Sequence, residues 1–332
     1  MDNKNDMDKI LIIGGTNFIG RNLIEKLSVN KKYDLTIFNR GLTNPDLFPN
    51  IKKIIGNRNS HDVKLIHQIN WDYIIDLSCY FPQSLINILS ELPLNLKKYI
   101  LISTCSVYQD EKVSLCNENA LIKDCNQDQF DDQSTKSYGN RKAECERIIQ
   151  SSKFNFTVLR PDVVYGKYDH TDRFYYWLHQ AKKYNEILVP NNGTPLFSLT
   201  YVNDLVSTIE KTIVEKPDRN IYNITTTKQT SIGQILDYTL EFTANKSKIV
   251  NANSRYLKSN KINEWTDMPL WIDSDHSTFD NKKILDSYGL KFTSFKTSVR
   301  ETIQHYDLLG WPTPNYGINR EKQISLLDKL VN

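Results

Sequence analysis

The 332 residues contain five cysteines, and no two of them stand in a Cys-x-x-Cys pair. A scattered, odd-numbered set (Cys79, Cys105, Cys116, Cys125, Cys145) gives no disulfide framework, so free thiols in a reducing compartment are expected. The six histidines form no His-Glu-x-x-His arrangement, and no metal site is expected. Apolar runs such as Tyr73–Leu77 and Tyr99–Ile102 are strand-length, far short of the roughly 20 residues a membrane-crossing helix needs. An excess of basic charge is missing too: 42 basic residues stand against 39 acidic ones, a net charge of +3. That balance calls for neither a nucleic acid nor a membrane surface as partner. The opening Met1-Asp-Asn-Lys-Asn-Asp-Met-Asp is polar and acidic, unlike a secretory signal, so a cytoplasmic location is expected.

What the chain does have is a recurring pattern. Short Ile/Leu/Val-rich runs at Ile10–Ile13, Leu35–Phe38, Tyr73–Leu77, Tyr99–Ile102, Thr157–Leu159 and Ile221–Ile224 alternate with segments of helical spacing. The first five are continuous rather than alternating in polarity, as strands buried on both faces are. Helices are predicted at Phe18–Leu27, Ser84–Leu92 and Ser137–Gln150. This alternation implies an α/β fold with a Rossmann-like, doubly wound parallel sheet. Beyond Pro161 the pattern changes to aromatic clusters (Phe174-Tyr-Tyr-Trp177) and turn-rich pieces, with two helices predicted in Lys282–Tyr306 around Gly289. The predicted division is a dinucleotide-binding domain of residues 1–165 plus about 200–225, and a smaller C-terminal substrate lobe of 166–199 plus about 226–332.

The first strand runs into Gly14-Gly-Thr-Asn-Phe-Ile-Gly20 and then a helix. A buried strand, a glycine turn and a helix N-terminus together place backbone N–H groups at the positive end of a helix, where a pyrophosphate binds. Gly14, Gly15, Thr16, Asn17, Phe18, Ile19 and Gly20 are therefore candidate cofactor contacts. Asn17 stands where a three-glycine turn has its middle glycine, and Asn tolerates the positive φ that position takes. The second strand ends in Asn39-Arg40 rather than in an acidic residue. A carboxylate there binds the ribose 2′-hydroxyl and repels a 2′-phosphate, whereas Arg40 can pair with one. NADP(H) is thus favoured, with NAD(H) the alternative. Asn57, after a third short strand, is a candidate adenine contact.

Tyr138-Gly-Asn-Arg-Lys142 opens a predicted helix, and residues four apart share one helix face. An ammonium beside a phenol favours the phenolate, and Thr104, at the end of the fourth long strand, adds a hydroxyl. These three are the candidate catalytic residues: an acid/base for oxygen while a nicotinamide handles the hydride. Tyr-x-x-x-Lys alone is common by chance; following this turn and this strand it reads as functional.

On Gly14–Gly20, Ser103–Tyr108, Tyr138–Lys142, Leu159-Arg-Pro161 with Val164-Tyr-Gly166, and Tyr201-Val-Asn-Asp204, the chain resembles the extended and atypical short-chain dehydrogenase/reductases, the NAD-dependent epimerase/dehydratase-like proteins. Asn39-Arg-Gly41, Asp172-Arg-Phe174 and Met268-Pro-Leu-Trp271 resemble a narrower atypical branch, which includes bacterial reductase/epimerase-like proteins and plant chloroplast stem-loop RNA-binding proteins. The resemblance implies that Tyr138 is the general acid/base and that Lys142 also holds the nicotinamide ribose. It further implies that Thr104 orients the reacting oxygen and that Pro161 lies beside the cofactor. Tyr80, Ser106 and Arg173 are the candidate substrate contacts, the implied substrate is a nucleotide-linked deoxysugar, and a homodimer through the helices around Ser84–Leu92 and Ser137–Gln150 is expected.

Departures narrow the reading. Cys105 and Ser106 occupy the positions where 4,6-dehydratases of the family carry an Asp-Glu pair, which argues against that elimination. Arg160-Pro-Asp-Val-Val-Tyr165 lacks the Asn that holds the diphosphate in family epimerases. There Asp162 would repel a diphosphate if it faced the site, and Arg173 is the residue able to replace the lost contact. The long connection from Val107 to Tyr138, with Asp124, Asp128, Asp131 and Asp132, has the length of a lid; acidic residues over a site disfavour RNA. The activity expected is a reductase, dehydrogenase or epimerase acting at a carbonyl or alcohol carbon. The alternative is an RNA-binding or nucleotide-sensing protein on the same fold.

Overall fold

A computed structural model describes residues 7–90, 92–215 and 219–331. Seven parallel strands form the main sheet: β1 (Asp8–Ile13), β2 (Tyr33–Asn39), β3 (Lys52–Ile55), β4 (Tyr73–Asp76), β5 (Lys98–Ile102), β6 (Phe156–Pro161) and, after three intervening strands, β10 (Arg219–Ile224). Their spatial order is β10-β6-β5-β4-β1-β2-β3. The continuous apolar runs follow from burial on both faces. In β1, Ile10 and Ile12 enter one core cluster and Leu11 and Ile13 the other, each at most 1% exposed. A polar residue at any of these four positions would have to be desolvated against hydrocarbon.

Strand order reverses between β1 and β4, and the crevice beyond the carboxyl ends of these strands is where doubly wound sheets take ligands. The helix Phe18–Leu27 follows β1, and Val202–Val214 packs beside it on the same face. Both bury Leu/Ile/Val stripes (Leu23, Ile24, Leu27; Leu205, Ile209, Ile213) in one shared cluster.

The remaining strands form two smaller sheets, called the second lobe below. These strands are β7 (Val164–Tyr165), β8 (Glu186–Pro190), β9 (Leu196–Tyr201), β11 (Thr227–Thr230), β12 (Lys248–Ala252) and β13 (His276–Ser277). β9 pairs with β7, β11 and β13, and β12 pairs with β8. The helices Lys282–Tyr288 and Phe295–Leu308 flank Gly289, as predicted. The lobe's core is aromatic: the Tyr165 ring stacks on Phe174 at 4.1 Å and Tyr175 on Tyr306 at 3.6 Å. Among the described residues, no helix is long and apolar enough to cross a membrane.

Between its ends, the Val107–Tyr138 connection contributes no lining residue to the two clefts described below. The Cys116 N–H donates to Thr278 O (2.8 Å) and the Asp280 N–H to Cys116 O (2.9 Å), fastening it to the second lobe. Asp124, Asp128, Asp131 and Asp132 line neither cleft described below. The segment's own turns and the helix Gln127–Asp131, closed by an Asn126–Gln129 capping box, account for its polar residues.

Candidate active site

Two clefts, of about 410 and 460 Å³, open at the carboxyl ends of the central strands and meet at Gly14, Gly15, Asn17, Ser78 and Tyr80. Each is of ligand-binding size. The turn between them is built around close backbone approach. A Cβ on Gly20 would lie 2.5 Å from Gly15 Cα, so only glycine lets the helix start against the strand end. Gly15 itself has φ +111°, a conformation that side-chain-bearing residues rarely adopt. Gly14, Gly15, Thr16, Asn17, Phe18, Ile19 and Gly20 all line the joined clefts.

Asn17 does not take the left-handed backbone expected of it. Its φ is −134°, and it caps the helix, its Oδ1 accepting from Phe18 N at 3.0 Å. The positive φ (+23°) falls on Phe18 instead. An N-cap residue has extended backbone, and Asn is among the best caps, so the turn is closed by capping at 17 and by glycines at 14 and 15.

The first cleft is the adenosine end. Asn39 lines it and is held within the protein: its Nδ2 donates to Thr16 Oγ1 (3.2 Å) and its Oδ1 accepts from Gly41 N (2.9 Å). This fixes the turn that carries Arg40, which is exposed, lines the cleft and has no carboxylate partner among the described residues. Asn57 lines the same cleft while its Oδ1 accepts from Asn59 N at 3.0 Å.

Its neighbour Arg58 is a cleft residue that the sequence reading missed. Arg58 binds Asp76, the last residue of β4, through both guanidinium NH groups (2.5 and 2.9 Å), and its Nε donates to Ser84 Oγ at 3.2 Å. Tyr99 OH donates to the same carboxylate at 2.7 Å. Burial opposes charge on both partners, yet the pairing holds Asp76 below the usual carboxylate range and Arg58 above its ordinary value. An Asp at the end of a buried strand, with an Arg after the preceding one, was the available signal.

The second cleft holds the reacting groups. Thr104, Ser106, Tyr138, Lys142, Pro161 and Arg173 line it together, and Tyr80 bridges it to the first cleft. Tyr138 opens the helix Tyr138–Ser151, with Lys142 one turn further on the same face. Lys142, 2% exposed, donates from Nζ to Cys79 O (2.8 Å) and Ile102 O (2.6 Å). Burial disfavours its charge, but the Tyr138 phenol and the Cys79 and Cys145 thiols outweigh this and hold it above the ordinary lysine value. The Tyr80 and Tyr138 rings lie 6.3 Å apart. Thr104 follows β5, and its Oγ1 accepts from Ser106 N at 3.2 Å, which orients the Thr104 hydroxyl at the strand end. Beneath them Ser103 donates to Glu146 (2.5 Å), which also accepts from Arg160, so the floor is a buried, fully paired network.

Asp162 does face this cleft. Burial, with Glu111 adding to it, pushes its carboxyl up to about 8, which opposes the ionised form that would repel a diphosphate. Arg173 lines the same cleft, its guanidinium 5.7 Å from the Trp265 ring. Trp265 is a second residue the sequence reading did not single out.

Residues 72–225 match the profile of the NAD dependent epimerase/dehydratase family. Over that stretch, a little under half of its length, the chain is similar to that family. The Arabidopsis thaliana chloroplast stem-loop binding protein of 41 kDa b is 28% identical over 232 residues, 65% of this chain and 58% of its own length. The chain therefore spans less than two thirds of that curated relative. The Bordetella bronchiseptica enzyme WbmG, solved with NAD and UDP, superposes with a TM-score of 0.73 at 17% identity, over 94% of this chain and 97% of its own. The UDP-glucuronic acid 4-epimerase of Bacillus cereus, solved with NAD, gives a TM-score of 0.70 at 17% identity, over 91% and 99%. These two likenesses show the fold alone, a Rossmann-like α/β architecture.

Proposed function

We propose that this protein is an enzyme that binds a nicotinamide dinucleotide, NADP(H) in preference to NAD(H), and oxidises, reduces or epimerises a carbon of a nucleotide-linked sugar. The observation that carries the reading is the meeting of Thr104, Tyr138 and Lys142 in one cleft continuous with the Gly14–Gly20 turn. When bound, the nicotinamide exchanges a hydride with the substrate carbon.

The chain's own residues do the rest. Tyr138 moves the proton at the substrate oxygen. Lys142, anchored between two carbonyls, presents a fixed positive charge that favours the phenolate. Thr104 and Ser106 donate to the oxygen and set its position. At the other end, Arg40 is placed to pair with a 2′-phosphate, and the lining of that cleft contains no carboxylate to repel one.

Cys105 and Ser106 supply no carboxyl for the 4,6-dehydratase route, so the reading is a reductase or an epimerase. An epimerase recycles its dinucleotide and copurifies with it, whereas a reductase releases it at each turnover. WbmG and the Bacillus epimerase support the nucleotide-sugar substrate through their bound UDP and their name. A homodimer is proposed through the adjoining helices Pro82–Leu89 and Tyr138–Ser151, where Ile86, Leu89 and Ile148 line a shallow groove.

The test is Tyr138→Phe. This variant is expected to fold and bind cofactor while losing about 10²–10⁴-fold in turnover; undiminished turnover overturns the mechanism. The name of the Arabidopsis relative favours a second reading, RNA binding. A salt-sensitive gel shift with structured RNA at physiological ionic strength would support it, and no shift would remove it.

A further inference from the structure

Arg173 is a charged group that the hydride chemistry does not use. Its Nε donates to Thr171 Oγ1 (3.3 Å), and Thr171 is itself held by Asp169, whose Oδ1 accepts from its N–H (2.9 Å) and its hydroxyl (2.7 Å). No carboxylate pairs with Arg173 among the described residues, although it is half-buried and lines the reacting cleft. A half-desolvated guanidinium without a counter-charge is unfavourable unless a ligand supplies one.

The wall around it is built at some conformational cost. Trp265, whose ring faces the guanidinium, has φ +68°, rare for a bulky residue, and its N–H donates to Trp271 O at 3.2 Å. Asp172, immediately before Arg173, has φ +55°, and its carboxylate accepts from Asn315 N at 2.8 Å. Three separate segments thus converge to aim one cation into the cleft. They include the Asp172-Arg-Phe174 motif and the stretch just before Met268-Pro-Leu-Trp271.

Asp162 stands in the same cleft at the end of β6, its N–H donating to Thr200 Oγ1 at 3.1 Å. We infer that Arg173 and Asp162 form a subsite for an oxyanion of the substrate, a phosphate or a carboxylate. An ionised Asp162 would compensate Arg173 and repel the ligand, whereas the protonated form offers an O–H donor in the cleft that the guanidinium lines. The titratable and charged groups around it are Glu111 and Arg173, then Tyr138, Lys142 and His170 across the cleft, with Cys105 behind it. Burial is the main cause of the raised carboxyl, which is pushed up to about 8. Oxyanion binding is therefore strong below that pH and weakens above it.

The inference deepens the nucleotide-sugar reading and rests on it. Its test is calorimetric titration of UDP-glucose and UDP-glucuronate into the NADP⁺-saturated protein, at about pH 6.5 and about pH 9. Arg173→Ala is expected to weaken binding about tenfold or more. Asp162→Asn is expected to keep the low-pH affinity and to abolish the loss that the wild type shows at high pH. If the diphosphate is the oxyanion, both ligands weaken alike in Arg173→Ala. If it is a sugar carboxylate, only UDP-glucuronate weakens. Arg173→Gln serves should the alanine variant fail to fold.

Unchanged affinity for both ligands in a folded Arg173 variant overturns the subsite, as does failure of both to bind the wild type. Either result with cofactor binding and the Tyr138 requirement intact removes the subsite alone. Absence of cofactor binding removes the reading beneath it.

Discussion

Lys142 Nζ lies 2.6 Å from the carbonyl oxygen of Ile102, the last residue of β5, and 2.8 Å from that of Cys79. The lysine one helical turn beyond Tyr138 is therefore also a tie between the helix and the ends of two strands. Lys142→Met leaves two buried acceptors without this donor, each costing about 1–3 kcal/mol. The expected result is a lowered Tm together with a turnover loss comparable to that of Tyr138→Phe. A variant with full stability but no turnover would contradict the structural half of this account, as calorimetry beside a turnover assay would reveal.

The Arg58–Asp76 pair gives a second expectation. Breaking a buried pair by removing one member costs about 3–5 kcal/mol, because the other charge is stranded. Asp76→Ala is expected to destabilise on that scale and to weaken dinucleotide binding, since Arg58 lines the adenosine cleft. The double variant Arg58→Met with Asp76→Leu should recover much of the stability without the binding. Denaturant unfolding and a cofactor titration on the same preparations separate the two effects; equal stability of Asp76→Ala and wild type would refute the pairing.

Asp162 sets a pH dependence whose sign can be worked out. Its unfolded-state pKa is near the ordinary value of about 3.9, and in the fold it is pushed up to about 8. Between these values the folded protein keeps a proton that the unfolded chain has lost. Stability therefore falls as pH rises through this window and levels off above it. Asp162→Asn removes the dependence, so its gain in Tm over wild type should be larger at about pH 9 than at about pH 5. An equal difference at both values would mean that the carboxyl is not held in its acid form.

Much of this arrangement was legible in the sequence because it rests on short-range rules. The runs in β1, β2, β4, β5 and β6 are continuous because both faces are buried, and the Gly14–Gly20 turn follows from strand, glycine and helix in register. Tyr138 and Lys142 share a face at any helical spacing of four. What was illegible depends on contacts distant in sequence. Arg58 meets Asp76 only because β3 and β4 both end at the crevice. Trp265 reaches Arg173 from nearly a hundred residues away, through a left-handed turn that no local pattern announces. The second lobe's strands β8, β9 and β12 are short pieces whose pairing partners are set by tertiary packing rather than by periodicity. Asn17 shows the converse error: its tolerance of positive φ was real, but its capping preference decided its conformation.

The central claim is that the Gly14–Gly20 turn and Arg40 hold a phosphorylated nicotinamide dinucleotide. The most direct measurement is a fluorescence titration of the purified protein with NADPH and with NADH, repeated on Arg40→Ala. A charge-assisted pair with phosphate contributes about 1.5–3 kcal/mol, or roughly ten- to a hundredfold in affinity. NADPH is expected to bind more tightly than NADH by that margin, and Arg40→Ala to bring the two together. Equal affinities in the wild type would return the cofactor assignment to NAD(H), and binding of neither dinucleotide would contradict the account at its root.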